Sequence, residues 1–117
     1  MARQVLTKTT LTRTGWPTDG VSITWTAADA ANKDEFTLTG KEVVLARNTD
    51  SVNAETVTIN SVAINGRTGD ITADSIAADG MAVYGPFNVD GGWAQTDGTL
   101  HLEASSSDVE FAVLVLP

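Results

Sequence analysis

The chain has no cysteine, one histidine and three prolines. Without cysteine there is no disulfide, no thiolate metal centre and no thiol nucleophile. That composition suits synthesis in a reducing cytoplasm. A lone histidine, His101, cannot build a histidine metal cluster. It alternates with Leu100 and Leu102 and reads as an exposed strand residue. No serine occupies a G-x-S-x-G elbow. From Thr68 to Pro117 there is no Lys or Arg, against eight acids. Such a body lacks the clustered cations that phosphate contacts require, so direct nucleic-acid binding is not expected. No run approaches the ~20 apolar residues of a membrane helix. Met1–Thr10 holds Arg3 and Lys8 but no apolar core behind them, so it is not read as a secretory leader. No stretch shows a helical apolar stripe of useful length.

What remains points to strands. The 117 residues fit one domain, long enough to bury roughly two-thirds of the unfolded surface without staples. The hydrophobic fraction of 42% and three tryptophans argue against disorder. Thr- and Val-rich runs recur between Gly, Pro, Asn and Asp punctuation. The runs are Gln4–Arg13, Val21–Thr26, Glu35–Leu38, Glu42–Arg47, Glu55–Ile64, Asp70–Ala77, Met81–Tyr84, Phe87–Val89, Leu100–Glu103 and Val109–Leu116. The turn signals include Thr14–Gly20, Asn65-Gly66, Asp79-Gly80, Asp90-Gly91-Gly92 and Asp97-Gly98. About eight to ten short strands at ~8–12-residue spacing suggest a sandwich or a barrel, and of the two we expect an all-β, antiparallel β-sandwich. Ala27–Asp34 has room for a single helical turn. Period-two alternation puts Ile23, Trp25, Val43, Leu45, Val57, Ile59, Val83, Leu100, Leu102, Phe111 and Val113 in the core. Val109–Leu116 is apolar on both faces apart from Glu110, so its second face is expected to need a partner, most simply other copies in a homotrimer.

Candidate chemistry is sparse. Most carboxylates sit beside Gly, Asn or Ser, which is turn chemistry before it is a glycosidase pair. Asp90 to Asp97 merits a calcium check, although the EF-hand spacing is absent. Trp16 and Trp93 stand in turns, as sugar-stacking platforms or as caps on a sandwich core. We expect no enzyme, no catalytic residue, no bound metal and no cofactor. The charge distribution is more informative. Arg3, Lys8 and Arg13 make the first eighteen residues basic on a chain of net charge -8. Residues 1–13 are therefore expected to form an extended arm that contacts a partner, with those three as the contact residues, the alternative being that Gln4–Arg13 is simply the first strand of the sandwich.

Five stretches, in order, are similar to a family of small proteins encoded in head-assembly regions of tailed phages and prophages. They are Val5-Leu6-Thr7-Lys8-Thr9-Thr10-Leu11-Thr12-Arg13, Glu42-Val43-Val44-Leu45-Ala46-Arg47-Asn48-Thr49, Gly66-Arg67-Thr68-Gly69-Asp70-Ile71, Tyr84-Gly85-Pro86-Phe87 and Val113-Leu114-Val115-Leu116-Pro117. The resemblance implies a jelly-roll-like β-sandwich acting as a capsid decoration, or cementing, protein. Its implied partner is the major capsid protein, bound on the outside of the phage head after synthesis in the host cytoplasm. It brings no catalytic residues. The alternatives are a tail or fibre component of the virion, and a carbohydrate-binding module using Trp16 and Trp93.

Overall fold

The computed structural model describes residues 2–11, 21–63 and 69–117. Among the described residues, ten strands form two five-stranded sheets: β1 Gln4–Val5, β2 Lys8–Thr10, β3 Thr26–Ala27, β4 Asp34–Thr37, β5 Glu42–Asn48, β6 Glu55–Asn60, β7 Ile71–Ile76, β8 Met81–Tyr84, β9 Thr99–Ala104 and β10 Val109–Val115. The first sheet runs β1-β4-β9-β6-β7. The second runs β2-β10-β5-β8, with β3 also on β10. The all-β sandwich expected from the alternation is what forms.

Strands β3 to β10 pair as one long hairpin that has been rolled up. β3 lies on β10, β4 on β9, β5 on β8 and β6 on β7, all antiparallel. The purely antiparallel expectation fails only at the first ten residues. β1 runs parallel to β4, and β2 runs parallel to β10. A parallel pair needs a long connection, and these two strands reach partners about thirty and a hundred residues away. The chain passes from one sheet to the other at Leu6-Thr7, and Leu6 is buried between them. Residues 2–11 are thus an edge of each sheet, lying on the body rather than extending from it as an arm.

The inner faces meet in one core. β4 supplies Phe36, β6 Val57 and Ile59, and β9 Leu100 and Leu102. From the second sheet come Val44 and Ala46 of β5 and Val109, Phe111 and Val113 of β10. Four expected core residues are elsewhere. Val83 is 64% exposed and Ile23 42%. Leu45 and Trp25 are half-buried. On β5 the inward phase is Glu42, Val44, Ala46 and Asn48, and Val43 sits on the other face, where it is nonetheless covered. The run Val21–Trp25 is not a strand. Neither is Phe87–Val89, which leads into a 3-10 turn at Val89–Gly91 capped by the Asn88 side chain. The single turn foreseen before β4 is closed by Lys33 N–H donating to Asp29 O, with the Asp29 carboxylate accepting from Ala31 and Asn32 N–H. The turn signals Thr14–Gly20 and Asn65-Gly66 lie outside the described residues.

Candidate functional site

Two of the three cations expected to meet a partner are engaged at home. Arg3 lies 3.4 Å from the Glu103 carboxylate and donates to the carbonyls of Asp34 and Leu102. Lys8 sits 2.8 Å from Glu42, whose side chain is wholly buried, and 5.7 Å from the centre of the Phe36 ring. Glu42 also accepts from Thr39 N–H and Thr39 Oγ1–H, each at 2.8 Å. Burial would raise its pKa, but Lys8 and Thr39 outweigh that and hold it at about 2. The neighbouring carboxylate shows the opposite balance. Burial pushes the Asp34 pKa up, although Gln4 and the Asp29 N–H both bond to it. Both acids are structural groups, satisfied by the N-terminal edge. Arg13 and Trp16 lie outside the described residues.

Trp93 caps the core. Its ring meets Phe87 edge-on, with centroids 5.1 Å apart and planes at 66°. It is half-buried, so little of it stands free as a stacking platform. Asp97 caps its own turn, accepting from Thr99 N–H and Thr99 Oγ1–H. His101 is half-buried, not fully exposed, and burial together with Arg3 lowers its pKa. Among the described residues, the one group of three acids with mutually close oxygens is Asp50, Glu55 and Asp108, within 4.8 Å. Asp50 there already accepts from the Val52 and Asn53 N–H groups. Asp50 and Glu55 are half-buried and Asp108 is exposed, and acids at loop ends gather in this way without a metal. A shallow depression of about 450 Å³ lies between Thr39-Gly40 and Pro86–Asp90. It gathers no titratable side chain besides Asp90.

The feature that stands out is the outer face of the second sheet. Residues directly opposite in register share a face, and alternate residues point the same way. Val43, Leu45 and Arg47 of β5 therefore share the outer face with Glu110, Ala112 and Leu114 of β10 and with Met81 and Val83 of β8. Arg47 and Glu110 pair across the strands at 2.6 Å, and the Arg47 guanidinium lies 4.2 Å from the centre of the Trp25 ring. Thr24 N–H donates to the Thr9 hydroxyl. The segment 21–25 thus crosses this face and covers part of it. Val21, Ile23, Met81 and Val83 remain between 42% and 64% exposed, beside a half-buried Leu45. Alternation could have flagged this surface, because V-V-L-A on β5 and M-A-V-Y on β8 are apolar in both phases. No family model, curated protein or solved structure matches the chain.

Proposed function

We propose that the chain is a capsid decoration protein, binding the outside of a phage head and bridging neighbouring major capsid subunits. The observation that carries this reading is the apolar outer face of the second sheet. A two-sheet sandwich buries its inner faces only. Here two adjoining seven-residue strands, β5 and β10, carry apolar residues on both faces. On this face Val43 and Ala112 are covered, while Leu45 is half-buried and Met81 and Val83 stand 62% and 64% exposed; exposed apolar side chains gathered on one face point to an interaction site. In this reading the face packs against the shell and against two further copies in a homotrimer. The ion pairs that hold Arg3 and Lys8 to the body shift the main contact from those residues to this face. The nested antiparallel pairing of β3–β10 supports the jelly-roll form of the sandwich, an architecture recurrent among viral shell proteins.

The test is to mix the protein with expanded, undecorated phage shells. Stoichiometric binding is expected, with loss of binding for Leu45→Lys and Ile23→Lys variants that keep a wild-type circular dichroism spectrum. Failure to bind any shell, or shell binding that survives both substitutions, would refute the assignment. A particle reconstruction with isolated, non-contacting copies would remove the trimer.

A further inference from the structure

We infer that the free edge of β8 is a self-association edge, at which a second copy of this chain pairs its own β8 antiparallel across a two-fold axis. The inference rests on the second sheet's register and is independent of the capsid reading.

Proteins protect sheet edges with short strands, charges and bulges. The described edges of this sandwich use those devices. β1 and β3 span two residues each, and β2 spans three and carries Lys8. β7 carries Asp74 and is irregular, with Ala73 at φ 47° and a register shift against β6. β8 is four residues long but carries neither of the other devices. Met81-Ala82-Val83-Tyr84 contains no charge, no proline and no bulge.

The phase of the ladder shows which backbone groups are free. Asn48 N–H donates to Gly80 O, so hydrogen-bonded pairs recur at Ala46–Ala82 and Val44–Tyr84. Ala82 and Tyr84 therefore turn their peptide groups to β5. Met81 and Val83 turn theirs outward, and no described group bonds to them.

That pattern is self-complementary. With the two-fold axis at Ala82, Met81 of one copy faces Val83 of the other. Their outward N–H and C=O groups then exchange hydrogen bonds as closely spaced pairs. The same register sets the Met81 side chain, 62% exposed, against the 64% exposed Val83 of the second copy. Both lie on the outer face beside Leu45, so the pairing covers apolar surface as well as peptide groups. Charge permits it locally. Asp79 of one copy falls opposite Gly85 of the other, which holds the two Asp79 carboxylates on the order of 20 Å apart, six residues at ~3.3 Å each.

A four-residue pairing covers well under the ~1,000 Å² of a stable interface, so the dimer is weak, with a Kd of roughly 0.1–1 mM. Each copy carries a net charge of -8. Salt that screens this repulsion should tighten the dimer several-fold between about 0.05 and 0.5 M. A basic partner strand in the same place would loosen with salt instead.

The experiment is sedimentation equilibrium of the full chain, with 15N amide spectra across the same concentrations. The expected results are a monomer–dimer equilibrium strengthened by salt, and concentration-dependent protection of the Met81 and Val83 amides. Val83→Pro removes an outward N–H, a change edge strands tolerate, together with the valine side chain that faces Met81 of the second copy, and should raise Kd at least tenfold. Met81→Lys should do the same through charge. Should Val83→Pro fail to fold, the wild-type amide data decide alone. A monomer at millimolar concentration, a dimer indifferent to both substitutions, or unprotected Met81 and Val83 amides would each overturn the inference.

Discussion

Removing the Lys8 ammonium is the sharpest test of how the N-terminal edge holds the sandwich together. Lys8→Met keeps most of the stem that lies against Phe36 but leaves the Glu42 carboxylate buried with only Thr39 and the turn amides for support. Glu42 is shifted from the ordinary 4.5 to about 2. At 1.36 kcal/mol per pKa unit, its ionised form stabilises the fold by about 3 kcal/mol at neutral pH. The sign follows from proton counting. The native state binds the proton less tightly than the unfolded chain, so the contribution is complete above about pH 4.5 and disappears as pH falls through about 2. Without Lys8, the leading influence on Glu42 is burial, which raises the pKa. We expect Lys8→Met to lose about 3 kcal/mol at pH 6.5, in line with breaking a buried pair from one side. In urea that is a midpoint shift of roughly 2 M. By pH 3 the gap should shrink to less than half. Adding Glu42→Gln to Lys8→Met should recover part of the loss, because the remaining amide group needs no counter-charge. A loss under about 1 kcal/mol at pH 6.5, or a gap that does not change with pH, would refute the reasoning.

Three further outcomes follow from the same contacts. Deleting residues 2–10 should unfold the protein, seen as loss of amide dispersion, since it removes buried Leu6 and strips Asp34 and Glu42 of Gln4 and Lys8; a folded truncation would mean the edge is dispensable. Tyr84→Phe should cost about 1 kcal/mol in thermal melts, because the hydroxyl donates to Asp74 at 2.7 Å and joins β8 of one sheet to β7 of the other. In the wild type, burial first and Asp74 second push this phenol's ionisation well above the ordinary tyrosine range, which an absorbance titration of the one tyrosine reads directly. Gly85→Ala should cost about 2 kcal/mol, as Gly85 has φ 99° and an added Cβ would meet the Phe87 ring at 3.0 Å and Glu42 O at 3.2 Å.

The sandwich was legible because β6 and β9 alternate cleanly and Glu110 marks the outer phase of an otherwise apolar β10, so Val57, Ile59, Leu100, Leu102, Phe111 and Val113 face inward as their period requires. The phase of β5 was not legible. Val43-Val44-Leu45-Ala46 is apolar either way, and the polar residues at its ends, Glu42 and Asn48, suggest an outward face. Both point inward because distant groups satisfy them. Glu42 has Lys8, thirty-four residues away, and the Asn48 amide donates to the carbonyls of Asn53 and Ile76. The same ambiguity reversed Val83, since the sequence does not announce that Tyr84 will find Asp74. The parallel edges formed by β1 and β2 were invisible for a related reason. Period two reports which face a residue takes, and carries nothing about which strand lies alongside. Arg3 and Lys8 stood out as isolated cations, but their partners Glu103 and Glu42 are made neighbours only by the fold.

The parallel pairing of β2 with β10 also sets a clock on synthesis. Lys8 meets Val113, and Thr10 meets Val115, across more than a hundred intervening residues. At ~5–20 residues per second, a ribosome takes on the order of 5–20 s to supply the second strand after the first has emerged. β3 waits for the same strand, and β4 waits for β9. During that interval Leu6 and Phe36 have no core to enter, and the nascent chain carries them as bare apolar surface. The three cations and the absence of acids in the first eighteen residues keep that stretch charged while it waits. Chaperone occupancy on stalled chains of increasing length should therefore persist until Val109–Val115 has cleared the exit tunnel, and then fall in one step.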